Sequence, residues 1–395
     1  MTTVSRRNLL QLMGATALSA GVLGGSALQV RAEAGELVIG GSLPLTGVFA
    51  FAGIAIERGI QDYIKIVNDA GGIAGRRVRL AYEDTGYKPD TSVAVFNKLT
   101  SQNDLNLYYG DSTAFAKTIA PELQRGGKIL MGGASFASEL NDPEAYPNLF
   151  MAGPDYSEMI SILMEYIAAE KPGAKVVLVN SDSEFGRDPI ESSRKKAADL
   201  GLEITAEIIT PPTAVDVSTE VLKLRRARPD FVIFHGYILA PLPEFMSQAK
   251  QMGLDTKFMG TFWSMDSSIW ADVGETADGF MGVMPYRYYY DDEPAPMLDT
   301  IRQMRPEYQA TGYTQGMITA MVLLESARRV IEAGQEMTAP ALKAAMNTIT
   351  DFDTGGLIGV PISIPGNSIP VGRVYQYSAA EQKMLPVSDW IKVGG

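Results

Sequence analysis

The chain has 395 residues, a formal net charge of −12 at pH 7, a single histidine and no cysteine. An acidic surface of this kind argues against nucleic acid or anionic lipid as a partner, because both would be repelled. With His235 alone and no thiol, neither a cysteine nucleophile nor a zinc site of the usual Cys/His kind can be built, and we expect no metal and no cofactor.

The first 32 residues predict an export signal. Ser5-Arg6-Arg7-Asn8-Leu9-Leu10 precedes an apolar stretch rich in Gly, Ala and Ser, which runs to about Leu28 and is followed by Val30-Arg31-Ala32. A basic head, an apolar middle and a small residue before the cut form the export pattern, and the arginine pair is similar to a twin-arginine signal. The alternative is a retained membrane anchor, since the stretch is just long enough to span a bilayer. We predict cleavage near Ala32 and a periplasmic mature protein. Cleavage would remove three Arg and no acidic residue, so the formal net charge would change from −12 to −15.

From Glu36 onward, short apolar runs alternate with segments of helical period. The first series comprises strand 37–39, a helix through 56–67 that ends at Gly71-Gly72, strand 78–82, helix 90–102, strand 105–109, helix 113–125 and strand 129–131. This strict alternation predicts right-handed crossovers and a parallel sheet covered on both faces.

The pattern starts again at about residue 156. The second series comprises helix 156–170, strand 176–179, helix 185–200, strand 204–209, helix 216–226, strand 231–234, helix 241–252 and strand 258–259. Near-continuous apolar strands are typical of strands buried on both faces. From about Met281 the chain becomes polar and aromatic, and a helix over about 313–333 and a strand over 373–377 follow. The whole pattern predicts an α/β fold with two doubly wound parallel-sheet lobes.

Candidate binding residues follow five of these strands, because ligands of open parallel sheets bind beyond the carboxyl ends of the strands. The candidates are Ser112, Thr113, Gly133, Ala134, Ser135, Phe136, Phe185, Tyr237, Phe262 and Trp263. A helix N-terminus behind Ser112 suits a carboxylate. The alternatives are a plain helix cap at Ser112, a tight turn at Gly132-Gly133, and aromatic side chains that only pack the lobes together.

Enzyme motifs are absent from the sequence. No Gly-x-Gly-x-x-Gly follows the first strand, and there is no phosphate-loop lysine pattern. Gly110-Asp111-Ser112 is similar to the serine block of one esterase class, but that class expects a later Asp-x-x-His, whereas Asp230 lies five residues before His235. We predict that the protein is not an enzyme. A hydrolase, the alternative, would need His235 within hydrogen-bond reach of Ser112.

Several blocks in a fixed order carry a resemblance to a known family. They are Ile39-Gly40-Gly41-Ser42-Leu43-Pro44-Leu45-Thr46-Gly47, the run 68–76, Glu83-Asp84-Thr85, the run 182–186 and the run 248–254. With them the mature chain resembles the periplasmic solute-binding proteins of ABC importers, in the branched-chain amino acid and amide class, which are similar to leucine-binding protein and have the type I periplasmic binding fold. The resemblance implies two lobes joined by three hinge crossings: 33–153 with 284–354, and 154–283 with 355–395.

The same resemblance implies roles for the candidates and for the partners. Ser112, Thr113, Gly133, Ala134 and Ser135 would hold a ligand carboxylate on the first lobe, and Phe185 and Tyr237 would be aromatic residues of the second lobe. A monomer would capture a small solute and deliver it to ABC permease subunits in the membrane. A ligand sensor of the same fold, reporting to a receptor, is the other hypothesis.

One departure from the family concerns the ligand. Amino-acid-binding members place an acidic residue after the Phe-Met-Gly strand, where it pairs with the ligand ammonium, but Phe262-Trp263 occupies that stretch here. Unless Asp266 or Glu184 reaches the ligand, a buried ammonium would lack an anion, at a cost on the order of several kcal/mol. This favours an aromatic or other apolar carboxylate. An amino acid, and an amide or urea-like compound, remain alternatives.

Overall fold

The structure, a computed structural model, describes residues 35–211, 214–237, 241–267, 270 and 273–393. The predicted export signal and its cleavage near Ala32 lie outside the described residues. Within the described ranges, no helix is both long and apolar enough to cross a membrane.

Strands and helices alternate along most of the described chain. The strands are β1 Leu37–Leu43, β2 Val78–Asp84, β3 Leu107–Gly110, β4 Leu130–Gly133, β5 Lys175–Ser181, β6 Glu203–Thr210, β7 Phe231–His235, β8 Lys257–Gly260, β9 Met281–Met284, β10 Val371–Ser378, β11 Lys383–Pro386 and β12 Ile391–Lys392. The α-helices are α1 Ala50–Asp69, α2 Pro89–Gln102, α3 Thr113–Gly126, α4 Tyr156–Glu170, α5 Glu184–Arg187, α6 Ile190–Asp199, α7 Ser218–Ala227, α8 Leu242–Gln251, α9 Pro296–Met304, α10 Thr311–Glu332 and α11 Ala339–Asn347. Short 3-10 helices lie at Ser138–Asn141, Phe262–Ser264 and Gly274–Ala277.

The first lobe contains a parallel four-stranded sheet in the order β2-β1-β3-β4. Helix α10, far along the chain, returns to this lobe and packs against α1 and β4. Glycines make the helix pair close: a Cβ on Gly59 would lie 2.0 Å from the carbonyl oxygen of Tyr313, and one on Gly316 would lie 2.5 Å from that of Ile56. The two backbones approach to a distance that larger residues would prevent.

The second lobe contains the larger sheet, in the order β11-β10-β9-β8-β7-β5-β6. The strands from β5 to β9 run parallel, whereas β10 is antiparallel to β9, β11 and β12. Strand β5 is buried from Val176 onward, because helices cover both faces of such a sheet. The predicted fold class, two α/β lobes with parallel sheets, is confirmed.

The chain passes between the lobes three times. It leaves the first sheet after β4, leaves the second sheet after β9 to form α10, and re-enters the second sheet at β10. The predicted lobe limits at residues 153 and 354 fall within the first and third passages, whereas the limit at residue 283 falls inside β9. All three limits stay predictions.

Two parts of the secondary structure differ from the sequence prediction. The single helix predicted over 185–200 is wrong: α5 and α6 are separate helices, divided at Asp188-Pro189. Asp188 keeps helical backbone angles (φ −49°, ψ −54°), and the break falls at Pro189, which lacks the N–H that a continuous helix would bond to the carbonyl of Phe185. The regular elements β9, α9, α11, β11 and β12 were not predicted from the sequence, since they are short or lie in polar and aromatic stretches.

Helix α4 begins at the first crossing with a capping box. The Asp155 carboxylate accepts the main-chain N–H of Glu158 at 2.8 Å, and the Glu158 carboxylate accepts that of Asp155 at 2.7 Å. Asp155 also accepts the side-chain amide of Asn141 at 2.7 Å, so the cap is tied to the loop that follows β4. Burial, followed by the neighbouring Asp155 carboxylate, raises the pKa of Glu158 to about 7.

We predict that Glu158→Gln removes a pH dependence of stability. A carboxyl whose folded pKa lies above its ordinary value of 4.5 destabilises the folded state as the pH rises from about 4.5 through 7. Glutamine keeps the cap acceptor but cannot ionise. The variant's free energy of unfolding minus that of the wild type should be about 1–3 kcal/mol larger at pH 8 than at pH 5. Urea unfolding at the two pH values measures this difference. The exposed Glu336→Gln is the control, and an equal difference at both pH values would contradict the prediction.

Candidate functional site

The hydroxyl groups of Thr113 and Ser135 meet at the carboxyl end of the first sheet. Thr113 is the first residue of α3, after β3, and Ser135 follows β4. Their Oγ atoms are 2.9 Å apart and both side chains are buried. Ser135 also accepts the main-chain N–H of Ala137 at 3.3 Å. Since one hydroxyl donates to the other, one hydroxyl proton of the pair remains for a further acceptor.

Ser112 caps α3. Its Oγ accepts the main-chain N–H of Phe115 at 3.2 Å and donates to the Asp111 carboxylate at 3.0 Å. The sequence left a helix cap as the alternative for Ser112, and the structure shows that cap. Its hydroxyl therefore shapes the end of the helix, while Thr113 lies one residue further into it.

Asp111 is a buried carboxylate that hydroxyl groups surround. It accepts from Thr85, from Ser92 at 2.7 Å and from Ser112. Desolvation raises its pKa. Thr85 Oγ1 in turn accepts the main-chain N–H of Tyr87 at 3.2 Å, so Asp111 fixes the loop that carries Tyr87 at the end of β2.

Gly133 allows strands β3 and β4 to approach closely at the site. A Cβ at Gly133 would lie 2.1 Å from the carbonyl oxygen of Gly110. The carbonyl of Gly133 accepts the Gln315 amide at 2.7 Å, and Gln315 accepts the Tyr109 hydroxyl at 2.6 Å. Gly133 thus contributes close packing and a bond to α10. The next residue, Ala134, is buried and donates its main-chain N–H to the carbonyl of Gly110 at 2.9 Å.

Aromatic side chains from both lobes meet beside the hydroxyl pair. The Phe136 ring centroid lies 5.5 Å from that of Phe262 and 6.2 Å from that of Trp263, and Phe49 lies 6.4 Å from Trp263. We call the following residues the aromatic cluster: Phe49, Tyr87, Phe136, Tyr156, Phe185, Phe262 and Trp263. The predicted residues Phe136, Phe185, Phe262 and Trp263 are therefore brought together across the two lobes.

Three members of the aromatic cluster were missed from the sequence. Phe49 and Tyr87, whose rings stack at 3.9 Å, follow β1 and β2, and applying the strand-end rule to those strands would have found them. Tyr156 contacts Phe136 at 6.0 Å and Phe185 at 4.9 Å between ring centroids. It begins α4 and follows no strand, so that rule gives no signal for it.

Tyr237 and His235 use their polar atoms inside the second lobe. The Tyr237 hydroxyl donates to the carbonyl of Asn180 at 2.6 Å and also bonds Thr210. His235 lies with Nε2 2.9 Å from the carbonyl of Phe185 and Nδ1 2.9 Å from the hydroxyl of Thr261. Burial lowers the pKa of His235 to about 3, so the ring is neutral. The bond to Ser112 that a hydrolase would need is not among these contacts.

The two acids considered as ammonium partners are bound elsewhere. The buried Asp266 carboxylate accepts the main-chain N–H of Thr311 at 2.7 Å and its hydroxyl at 3.2 Å. Glu184 lies 3.0 Å from the Lys117 ammonium of the first lobe, beside a polar cavity of ≈ 600 Å³ between the lobes. Asp266 therefore stabilises the start of α10, and Glu184 links the lobes outside the aromatic cluster.

The described residues contain no group of three or more acidic or histidine side chains that could hold a metal ion. The polar groups of the site are instead hydroxyls and main-chain amides, which bind an anion through hydrogen bonds.

Comparisons with known proteins agree with this architecture. A family model described as "Periplasmic binding protein" matches residues 36–382. The leucine-, isoleucine-, valine-, threonine-, and alanine-binding protein of Pseudomonas aeruginosa is 23% identical over 346 residues, which cover 85% of this chain and 88% of that protein.

Two solved structures share the fold. A branched chain amino acid ABC transporter protein from Thermus thermophilus with bound valine has a TM-score of 0.81 at 24% identity, covering 91% of this chain and 97% of that one. A solute binding protein from Rhodopseudomonas palustris in complex with 3,4-dihydroxy benzoic acid has a TM-score of 0.76 at 20% identity, covering 90% of this chain and 97% of that one.

We predict that Gly133→Ala destabilises the protein by about 1–3 kcal/mol or more, because the new methyl group would overlap main-chain atoms. The matched control is Gly126→Ala in α3, where nothing lies within 4 Å of the added Cβ and stability should stay equal or rise by up to about 1 kcal/mol. Urea unfolding of both variants measures the difference. Equal stability of the two variants would show that the approach of β3 and β4 is not tight.

Proposed function

The chain belongs to the periplasmic binding protein family, and from this premise we propose that it is an exported solute-binding protein of an ABC importer. It captures a small carboxylate between its lobes in the periplasm, delivers it to the permease as a monomer and catalyses no reaction. The observation that carries the proposal is the Thr113–Ser135 hydroxyl pair, which lies beside aromatic side chains of both lobes.

The first lobe supplies the groups for the carboxylate. Helix α3 has 14 residues and begins at Thr113. The first N–H groups of a helix have no acceptor within the helix, and the positive end of the helix dipole favours an anion. The remaining proton of the Thr113–Ser135 pair adds a hydroxyl donor beside these N–H groups.

The aromatic cluster supplies the environment for the apolar body of the ligand. Phe136, Phe262 and Trp263 are buried and come from different lobes, so a flat ring or a branched chain between them would contact both. Aromatic pairs prefer offset or edge-to-face contact and gain about 0.5–1.5 kcal/mol beyond burial. The 3,4-dihydroxy benzoic acid in the Rhodopseudomonas palustris protein supports an aromatic acid, and the valine in the Thermus thermophilus protein supports a branched apolar group.

The charges around the site favour a ligand without an amino group. Asp266 binds Thr311, Glu184 binds Lys117, and the Asp111 carboxylate is surrounded by three hydroxyls. A buried ammonium without an anionic partner keeps its desolvation cost. We therefore infer an aromatic or other apolar carboxylate, with an amino acid as the second candidate.

Matched pairs of ligands test this inference. Leucine and 4-methylpentanoate differ by the amino group alone, as do phenylalanine and 3-phenylpropanoate. We expect the acid without the amino group to bind at least about tenfold more tightly in each pair, because it leaves no ammonium unpaired. Isothermal titration calorimetry measures both dissociation constants. Tighter binding of leucine than of 4-methylpentanoate would refute the preference, and no binding by any of the four would refute the carboxylate itself.

A second prediction concerns the hydroxyl pair. Thr113→Val keeps the shape of the side chain but removes the hydroxyl, and should weaken binding of 3-phenylpropanoate or benzoate by about tenfold or more, since a hydrogen bond to a charged group is lost. The matched control is Thr118→Val, on the same helix, where the exposed hydroxyl donates to the carbonyl of Ala114 at 2.8 Å. Tryptophan fluorescence titration measures the affinities, and an equal effect of the two substitutions would contradict a role for Thr113.

A further inference from the structure

The hydroxyl of Tyr156 lies in the aromatic cluster with an unused proton. The residue is 1% exposed, and its oxygen accepts the indole N–H of Trp263 at 3.3 Å. Among the residues that the structure describes, none accepts the proton of this hydroxyl. A buried hydroxyl ordinarily uses its donor, because the alternative is an unpaired polar group.

Other buried tyrosines around the lobe crossings behave differently. Tyr109 donates to Gln315, Tyr286 to the carbonyl of Ala152, and Tyr288 to a main-chain carbonyl, each at 2.6 Å. A further buried hydroxyl without a partner among the described residues, that of Tyr377, belongs to strand β10 and not to the aromatic cluster. The free donor of Tyr156 is thus a local feature of the candidate site.

Contacts with Phe136 and Trp263 place Tyr156 beside Ser135, at the carboxylate end of the candidate site. The main-chain N–H of Tyr156 donates to the carbonyl of Phe136, the residue after Ser135, at 2.8 Å, and the two ring centroids lie 6.0 Å apart. Burial raises the pKa of the Tyr156 hydroxyl above the ordinary tyrosine value. The group therefore keeps its proton at physiological pH and remains a donor.

We propose that Tyr156 donates its hydroxyl proton to the ligand carboxylate, as the contact of the second lobe with an anion that the first lobe holds through Thr113 and Ser135. This inference rests on the proposed function, since it requires a carboxylate in the site. The Trp263 N–H directs the hydroxyl oxygen and polarises it, which strengthens its donation. Because both lobes then bind one anion, the ligand stabilises their closed arrangement.

The test is Tyr156→Phe, which removes the hydroxyl and keeps the ring. With benzoate and 3-phenylpropanoate as probes, we expect affinity to fall by about 10- to 100-fold, measured by calorimetry. The rise in Tm that a saturating probe gives should shrink in parallel, which a purely structural loss would not cause. The control is Tyr313→Phe, whose hydroxyl bonds Asp62 at 2.9 Å in the first lobe. That variant should lose stability and keep its affinity within twofold.

The outcomes separate this inference from the proposed function. If the wild type binds the probes and Tyr156→Phe binds them equally well, the role of Tyr156 is refuted and the proposed function stands. If the wild type binds no carboxylate, both are refuted. Should Tyr156→Phe fail to fold, the hydroxyl proton of Tyr156 can be followed by NMR in tyrosine-labelled wild type. Benzoate should then shift this resonance and slow its exchange with solvent, and an unchanged resonance would refute the contact.

Discussion

The candidate site depends on a main-chain approach that only glycine permits. Gly133 lies against the carbonyl of Gly110, where a Cβ would be 2.1 Å from the oxygen, and this approach brings Ser135 within 2.9 Å of Thr113. Gln315 holds the same point from α10 by bonding both Gly133 and Tyr109. The hydroxyl pair is therefore fixed by two neighbouring strands and by a helix from another part of the chain. A rigid support of this kind reduces the entropy lost when a ligand binds.

The ionisable groups near the site already have hydrogen-bond partners within the protein. The His235 ring is neutral and uses both nitrogens, and Asp111 and Asp266 accept bonds from hydroxyls or main-chain N–H groups. A carboxylate in this environment would be held by neutral donors and by the helix dipole of α3 rather than by a cation. We therefore propose a ligand with one negative charge attached to an apolar body. On this proposal a zwitterion would bind less tightly, because its ammonium would need an anionic partner.

The sequence predicted the fold more completely than the site. Apolar strands and helical periods predicted both lobes, and the strand-end rule led to Thr113, Ser135, Phe136 and Trp263. The role of Asp266 could not be predicted, because its bonds reach Thr311, 45 residues away. Tyr156 escaped the same rule, since it enters the site from a crossing segment rather than from a strand end. Local patterns thus predict which elements form, whereas contacts between distant segments decide how a side chain is used.

The contacts between the lobes differ in strength, and the stronger ones determine how easily the two lobes separate. Lys117 and Glu184 pair at 3.0 Å, but both side chains are partly exposed, and exposed ion pairs contribute about 0–1 kcal/mol. Phe136, Phe262 and Trp263 are buried, so their contacts contribute more to closure. A binding protein must reopen to release its ligand. A ligand shifts the equilibrium between the open and closed forms only by the difference in its affinity for these two forms. A carboxylate that binds Thr113 from one lobe and Tyr156 from the other has this difference, because the open form cannot offer both contacts.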